Sequence, residues 1–204
     1  TAEAKHSNSG SGQRKHDSGS GSSAKKLASV TKRANRDIAR IHEAFERVRG
    51  ALLGGTVGLA AATEVHTAAV GTVAALQTFA EGTVGCTDAA LAQLQEEPSF
   101  VPFSSLALPP AAHEREPRLS DVVGALSESL VRMHAVLVFV QDALAKTTSV
   151  RVASKIAEAV KAAKASFVVP VSSLLDARAA TTTTPADQAA DKAAAPQETE
   201  NNTE

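Results

Sequence analysis

The sequence predicts an all-α protein of long helices, and three observations carry that expectation. Large apolar residues recur at steps of three and four along Ile38–Leu52 and again along Leu119–Leu144. The aromatic complement is thin, six Phe with no Tyr or Trp. Ala, Val and Leu supply the apolar bulk, which suits close helix contacts better than a β-sandwich. Both ends of the 204-residue chain lack residues large enough to offset the entropy of ordering them. Residues 1–23 therefore read as a disordered basic Ser/Gly-rich tail, residues 24–178 as the helical domain, and residues 179–204 as a disordered acidic Thr/Ala-rich tail.

In the first helical segment Ile38, Ile41, Phe45, Val48 and Leu52 step by three, four, three and four. The pattern continues more weakly through Leu59, Ala62, Ala69, Val73, Leu76 and Ala80. Gly82 and Gly85 predict a bend or fraying, and a further pattern at Ala90, Leu91 and Leu94 ends before Pro98. Residues 97–118 form a Pro-rich loop, since Pro98, Pro102, Pro109, Pro110 and Pro117 cannot sit inside a regular helix.

The second segment carries the clearest signal. Leu119, Val123, Leu126, Leu130, Met133, Leu137, Val140 and Leu144 alternate steps of four and three. Ser120 or Asp121 can cap its start. After Leu144 the spacing drifts through Thr148, Val152, Ile156 and Val160 in steps of four, a local break in the heptad. The three/four pattern resumes at Ala163, Phe167, Val171 and Leu174, and Pro170 predicts a kink within it. Two continuous segments of roughly 60 residues would each approach about 90 Å. Their narrow stripes imply an elongated antiparallel coiled coil or bundle. A homodimer would bury Ile38, Ile41, Phe45, Val48, Leu126, Leu130, Met133 and Leu137 at its core.

Motifs for chemistry are sparse. No Gly-x-x-x-x-Gly-Lys loop occurs, and the Gly-Ser-Gly repeats near Gly10 and Gly19 read as flexible linker. The six His show no i, i+4 pair and no neighbouring Cys pair, so no metal site is expected. The carboxylates form no acid/base pair, and no serine sits in a nucleophile elbow. Neither catalysis nor a cofactor is therefore expected. Gly50, Gly54 and Gly58 form a Gly-x-x-x-Gly series, yet the apolar run Ala51–Thr63 is too short to span a membrane. The first 25 residues lack the apolar core of a secretory leader, and the single cysteine, Cys86, permits no internal disulfide. A cytoplasmic, peripheral location is expected.

Charge is the one functional signal. From Thr1 to Gly50 eleven basic residues face five acidic ones, whereas the tail after Arg178 has one Lys and five acids. One cluster, Lys25, Lys26, Lys32, Arg33 and Arg36, shares its helix with Leu27, Val30, Ile38 and Ile41. Such a basic amphipathic segment can lie on an anionic membrane. A second cluster is Lys146, Arg151, Lys155, Lys161 and Lys164. An extended anionic partner fits both. Nucleic acid is not expected, because stacking aromatics and a DNA-reading motif are missing.

Ser166-Phe-Val-Val-Pro-Val-Ser-Ser-Leu-Leu175 resembles the endophilin-type second helix of BAR domains, with Phe167, Pro170, Val171 and Leu174 in the matching helix-kink positions. The long heptad helix before it is also of the family's kind. The resemblance implies a banana-shaped homodimer that binds, and in the family curves, anionic membranes. The ten residues of the two basic clusters would be its membrane-facing candidates. The family's third long helix has no counterpart after Arg178, where Thr181–Thr184, Pro185 and Pro196 follow. A helical coiled-coil scaffold for proteins, reached partly through the tails and without a lipid role, is the alternative.

Overall fold

The computed structural model describes residues 20–95 and 118–182. Most of the tails expected at 1–23 and 179–204 lies outside these residues, at 1–19 and 183–204, and so does the Pro-rich loop expected at 97–118 except Arg118. Five helices make up the described chain: α1 Ser20–Leu53, α2 Leu59–Val84, α3 Asp88–Gln95, α4 Leu119–Lys146 and α5 Val150–Thr182. Among the described residues there is no strand. Helix therefore begins at Ser20 and runs on to Thr182, a few residues into each stretch that the sequence assigned to the tails. Propagating an established helix costs far less than nucleating one, so a turn of weak sequence can follow a strong one.

Each of the two long segments is divided, which the apolar spacing did not predict. The first turns a corner at residues 54–58. Gly55 adopts φ 65° there, a left-handed conformation that glycine tolerates best. Gly58 precedes α2, and a Cβ on it would lie 3.1 Å from the Arg178 guanidinium. The Gly50-Gly54-Gly58 series thus builds a corner instead of a helix-packing ridge. The second segment breaks at residues 147–149. The Ser149 amide donates to Thr147 Oγ1 at 3.2 Å, and Ser149 Oγ accepts from the Val152 amide at 3.4 Å, starting α5. The drift in spacing around Thr148 marks that corner. Gly85, at φ 71°, ends α2 as a C-cap.

The longest helix, α1, has 34 residues and a length of about 50 Å. α1 packs chiefly on α5, α2 chiefly on α4, and α2 and α5 also pack together. Side-chain pairs give the directions. Arg33 meets Glu158, Asp37 meets Lys164 and Arg47 meets Asp176, so α1 and α5 run parallel. Asn35 meets Gln141 and His42 meets His134, so α1 and α4 run antiparallel. Residues 58–65 at the start of α2 face residues 170–178 near the end of α5, so that pair is antiparallel as well. The order is up, down, down, up. A parallel α2/α4 pair needs the chain to return along the bundle between them. α3 begins that return: Asp88 lies beside Arg132, and Gln95 beside Ser127 and Glu128.

The core is one apolar cluster drawn from all five helices. Val123, Leu126, Leu130, Met133, Leu137, Val140 and Leu144 of α4 are all buried. Each such side chain contributes about 1.5–3 kcal/mol relative to exposure. Phe45 and Phe167 meet edge-on at 5.4 Å between α1 and α5. The eight residues assigned to a dimer core are thus covered within a single chain, and their exposure gives no reason for a second copy. The apolar stripes of each long segment are covered by the other, α1 by α5 and α2 by α4.

Candidate functional site: the basic end of the bundle

Because α1 and α5 run parallel, their N-terminal halves lie at one end of the molecule. The α4–α5 corner lies there too, beside Leu27, Thr31 and Lys32 of α1. The two basic clusters, more than a hundred residues apart in sequence, therefore meet. Residues 21–37 and 142–164 carry ten Lys and Arg against three carboxylates, Asp37, Asp142 and Glu158.

Those carboxylates engage four of the ten cations. Lys164 Nζ lies 2.5 Å from the nearly buried Asp37 Oδ1. Lys146 pairs with Asp142 at 2.6 Å along α4. Arg33 and Lys161 both approach Glu158, at 3.6 and 3.9 Å. Lys164 is the least available, since withdrawing it would leave the Asp37 carboxylate buried without its counter-charge. Lys25, Lys26, Lys32, Arg36, Arg151 and Lys155 form no ion pair with a described residue, and except at Arg151 and Lys155 on α5 all of these side chains belong to α1. The first buried side chain from residue 21 onward is Ala34, so Lys25, Lys26 and Lys32 ride on a stretch whose inward side chains are the half-buried Leu27, Val30 and Thr31.

The helix-kink motif lies towards the other end. Phe167 and Val171 are fully buried, Leu174 is half-buried and Pro170 faces outward, with α5 continuing through it. Pro170, Leu174 and Arg178 line one wall of an open apolar cleft of about 670 Å³, with Gly58 and the α2 residues Leu59 and Val65 on the other. The Arg178 guanidinium closes one end by donating to the Thr56 carbonyl. Neither this cleft nor the corner that forms it follows from apolar spacing, though the Gly-Gly at 54–55 was a turn signal available in the sequence.

Elsewhere, groups capable of chemistry are dispersed or buried. Among the described residues no three His, Cys, Asp or Glu side chains converge on a metal-sized space. Cys86 is buried, and burial pushes its thiol up, helped by Glu81 and Asp88, away from the reactive thiolate. His42 of α1 and His134 of α4 face each other with ring centroids 5.1 Å apart, a pairing that lay hidden in two unremarkable helix positions. Burial, and secondarily His134, holds His42 below the usual imidazole range. α2 and α4 are long and apolar enough to cross a membrane by length and composition. Core helices of a bundle in water share that composition, and here α2 and α4 pack against each other.

No known protein family, characterised protein or solved structure matches this chain.

Proposed function

We propose that this chain is a cytoplasmic, peripheral membrane-binding module, neither an enzyme nor a nucleic-acid-binding protein, that adsorbs to anionic lipid through the basic end of its helical bundle. The observation that supports this most is the meeting of two sequence-distant basic clusters at one end, where six cations form no ion pair with a described residue. Each Lys or Arg near an anionic surface contributes about 1 kcal/mol. Three or four of them facing a bilayer together give about 3–4 kcal/mol, a weak and reversible attachment. Among the described residues this end carries no aromatic side chain for stacking bases.

The finer, BAR-like part of the proposal rests on Phe167, Pro170, Val171 and Leu174. A homodimer belongs to that resemblance, and it would use surfaces other than the eight core residues already covered. The apolar cleft between α2 and α5 favours the second reading, a scaffold that holds a protein partner.

Co-sedimentation with phosphatidylserine vesicles tests the first reading. Wild type should bind at low salt and release as salt rises, because screening shortens the reach of surface charge. Reversing Lys25, Lys26, Lys32 and Arg36 to Glu should abolish binding, and reversing Arg151 and Lys155 should weaken it. Circular dichroism should be unchanged in both, since all six side chains lie off the core. Equal binding by all three proteins, or none by wild type, would overturn the lipid reading in favour of the scaffold.

A further inference from the structure

The basic end contains an exposed serine among its cations. Ser29 lies on the exposed face of α1. Lys25 and Lys26 precede it by four and three residues, and Lys32 and Arg33 follow by three and four. On a helix these offsets bring all four cations around one point, a turn above and a turn below. Ser22, Lys25, Lys26 and Ser29 line a shallow surface hollow together. The Ser29 hydroxyl makes no hydrogen bond with any described residue, so it is not occupied in holding the helix.

We propose that Ser29 is a phosphorylation site for a basophilic serine/threonine kinase, and that its phosphate switches off the basic end. The switching part rests on the anionic-surface reading above. In the reaction Ser29 Oγ forms a bond to the γ-phosphorus of ATP, the bond from that phosphorus to the ADP oxygen breaks, and the hydroxyl proton passes to a base of the kinase. Lys-Lys-Leu-Ala-Ser, residues 25–29, puts two cations ahead of the acceptor, where an acidic substrate cleft reads them. Access is cheap. No residue from 21 to 33 is buried, so this stretch can leave the helix at little cost and enter an extended-peptide cleft. Once formed, the dianion has four cations within a turn and the helix re-forms around it.

Other hydroxyls at this end fit less well. Ser149 Oγ is engaged by the Val152 amide. Ser154 follows Arg151 by three residues but is half-buried and has Glu158 one turn on. Thr31 is half-buried and has no cation three residues before it, and Ser22 and Ser23 follow Ser and Gly.

About two negative charges replace a neutral hydroxyl, and each charge at an anionic surface is worth about fivefold. Phosphorylation should therefore weaken vesicle binding about thirtyfold. The full chain, wild type and Ser29→Ala, is incubated with ATP and a basophilic kinase, the phosphate located by mass spectrometry, and each product run on a sulfonate cation-exchange column and on phosphatidylserine vesicles. Expected are phosphate on Ser29 as the principal site, earlier elution from the column, and lost vesicle binding, with Ser29→Ala unchanged by the kinase in all three. Phosphate absent from Ser29, or phospho-Ser29 protein that elutes where the unmodified protein does, overturns the proposal. Earlier elution without vesicle binding by the unmodified protein leaves the charge switch standing and overturns the lipid reading instead. Phospho-Ser29 protein that binds vesicles as tightly as unmodified protein overturns the switch alone.

Discussion

The bundle is made of two parallel helix pairs, α1 with α5 and α2 with α4, and they are held in different ways. The α1/α5 seam has a rim of charge. Arg33–Glu158, Asp37–Lys164 and Arg47 with Ser172 and Asp176 follow one another along it. Its core is Ile38, Ile41, Phe45, Ile156, Val160 and Phe167. The α2/α4 seam buries Val65, Ala69, Val73 and Leu76 of α2 with Leu126, Leu130 and Leu137 of α4, and buried alanines occur in both pairs, Ala62, Ala69 and Ala80 here and Ala34, Ala44, Ala153, Ala157 and Ala163 in α1 and α5. Its only described polar knot is Arg132, bound to Gln77 at 2.8 Å and to Asp88 at 3.2 Å. The sizes of the packed side chains fix how closely two helices approach. Charges along a rim fix how far one slides past the other, at little energy where they are exposed.

The largest loss of stability is expected at Leu130, which is fully buried. Leu130→Ala should cost about 2–5 kcal/mol in urea unfolding, and Leu130→Asp should leave no cooperative transition. In the same pair Ala69→Leu should cost about 1–3 kcal/mol, because a fully buried alanine at a close approach has no room for three more carbons. Loss of less than half a kcal/mol would mean the seam opens easily.

On the α1/α5 side the largest polar effect belongs to Lys164→Ala. It leaves Asp37, whose side chain is 10 % exposed, without its cation. A cost of about 1–3 kcal/mol is expected, the lower half if water reaches the carboxylate past the part-exposed Lys164. Lys164→Ala with Asp37→Asn should recover part of it. Arg33→Ala is the contrasting case: both partners of Arg33–Glu158 are more than half exposed, so its removal should change stability by less than about 0.5 kcal/mol.

Acid acts where the two pairs meet, because His42 and His134 lie between α1 and α4. The folded chain holds His42 below its ordinary value, so the unfolded chain takes up that proton more readily. Stability should be full above the unfolded pKa of about 6.5 and fall as the pH drops below it, levelling off only under the lower folded value. His42→Gln should flatten this part of the pH profile. An unchanged profile would mean that other groups cause the acid loss.

The sequence by itself determined the helices and their inward faces. Periodicity is local, so Ile38 to Leu52 and Val123 to Leu144 were legible as core from spacing alone, and every one of those stripe residues is buried. It also determined the two basic clusters and the loss of helix register near Thr148. Only the tertiary structure decided that the two long segments fold back at residues 54–58 and 147–149, because the drift at Thr148 and the Gly-Gly at 54–55 mark a break in the helix but not the direction in which the chain leaves it. That decision covered the stripes within one chain and removed the reason for expecting a second. The same corners made α1 parallel to α5, set Lys164 against Asp37 and brought Lys25 to the end that holds Arg151. Whether Arg33 and Lys164 are paired or left to face a partner depends on contacts across more than a hundred residues of sequence. Spacing along the chain carries no information about such contacts, since they are fixed by which helices pack together and in which direction.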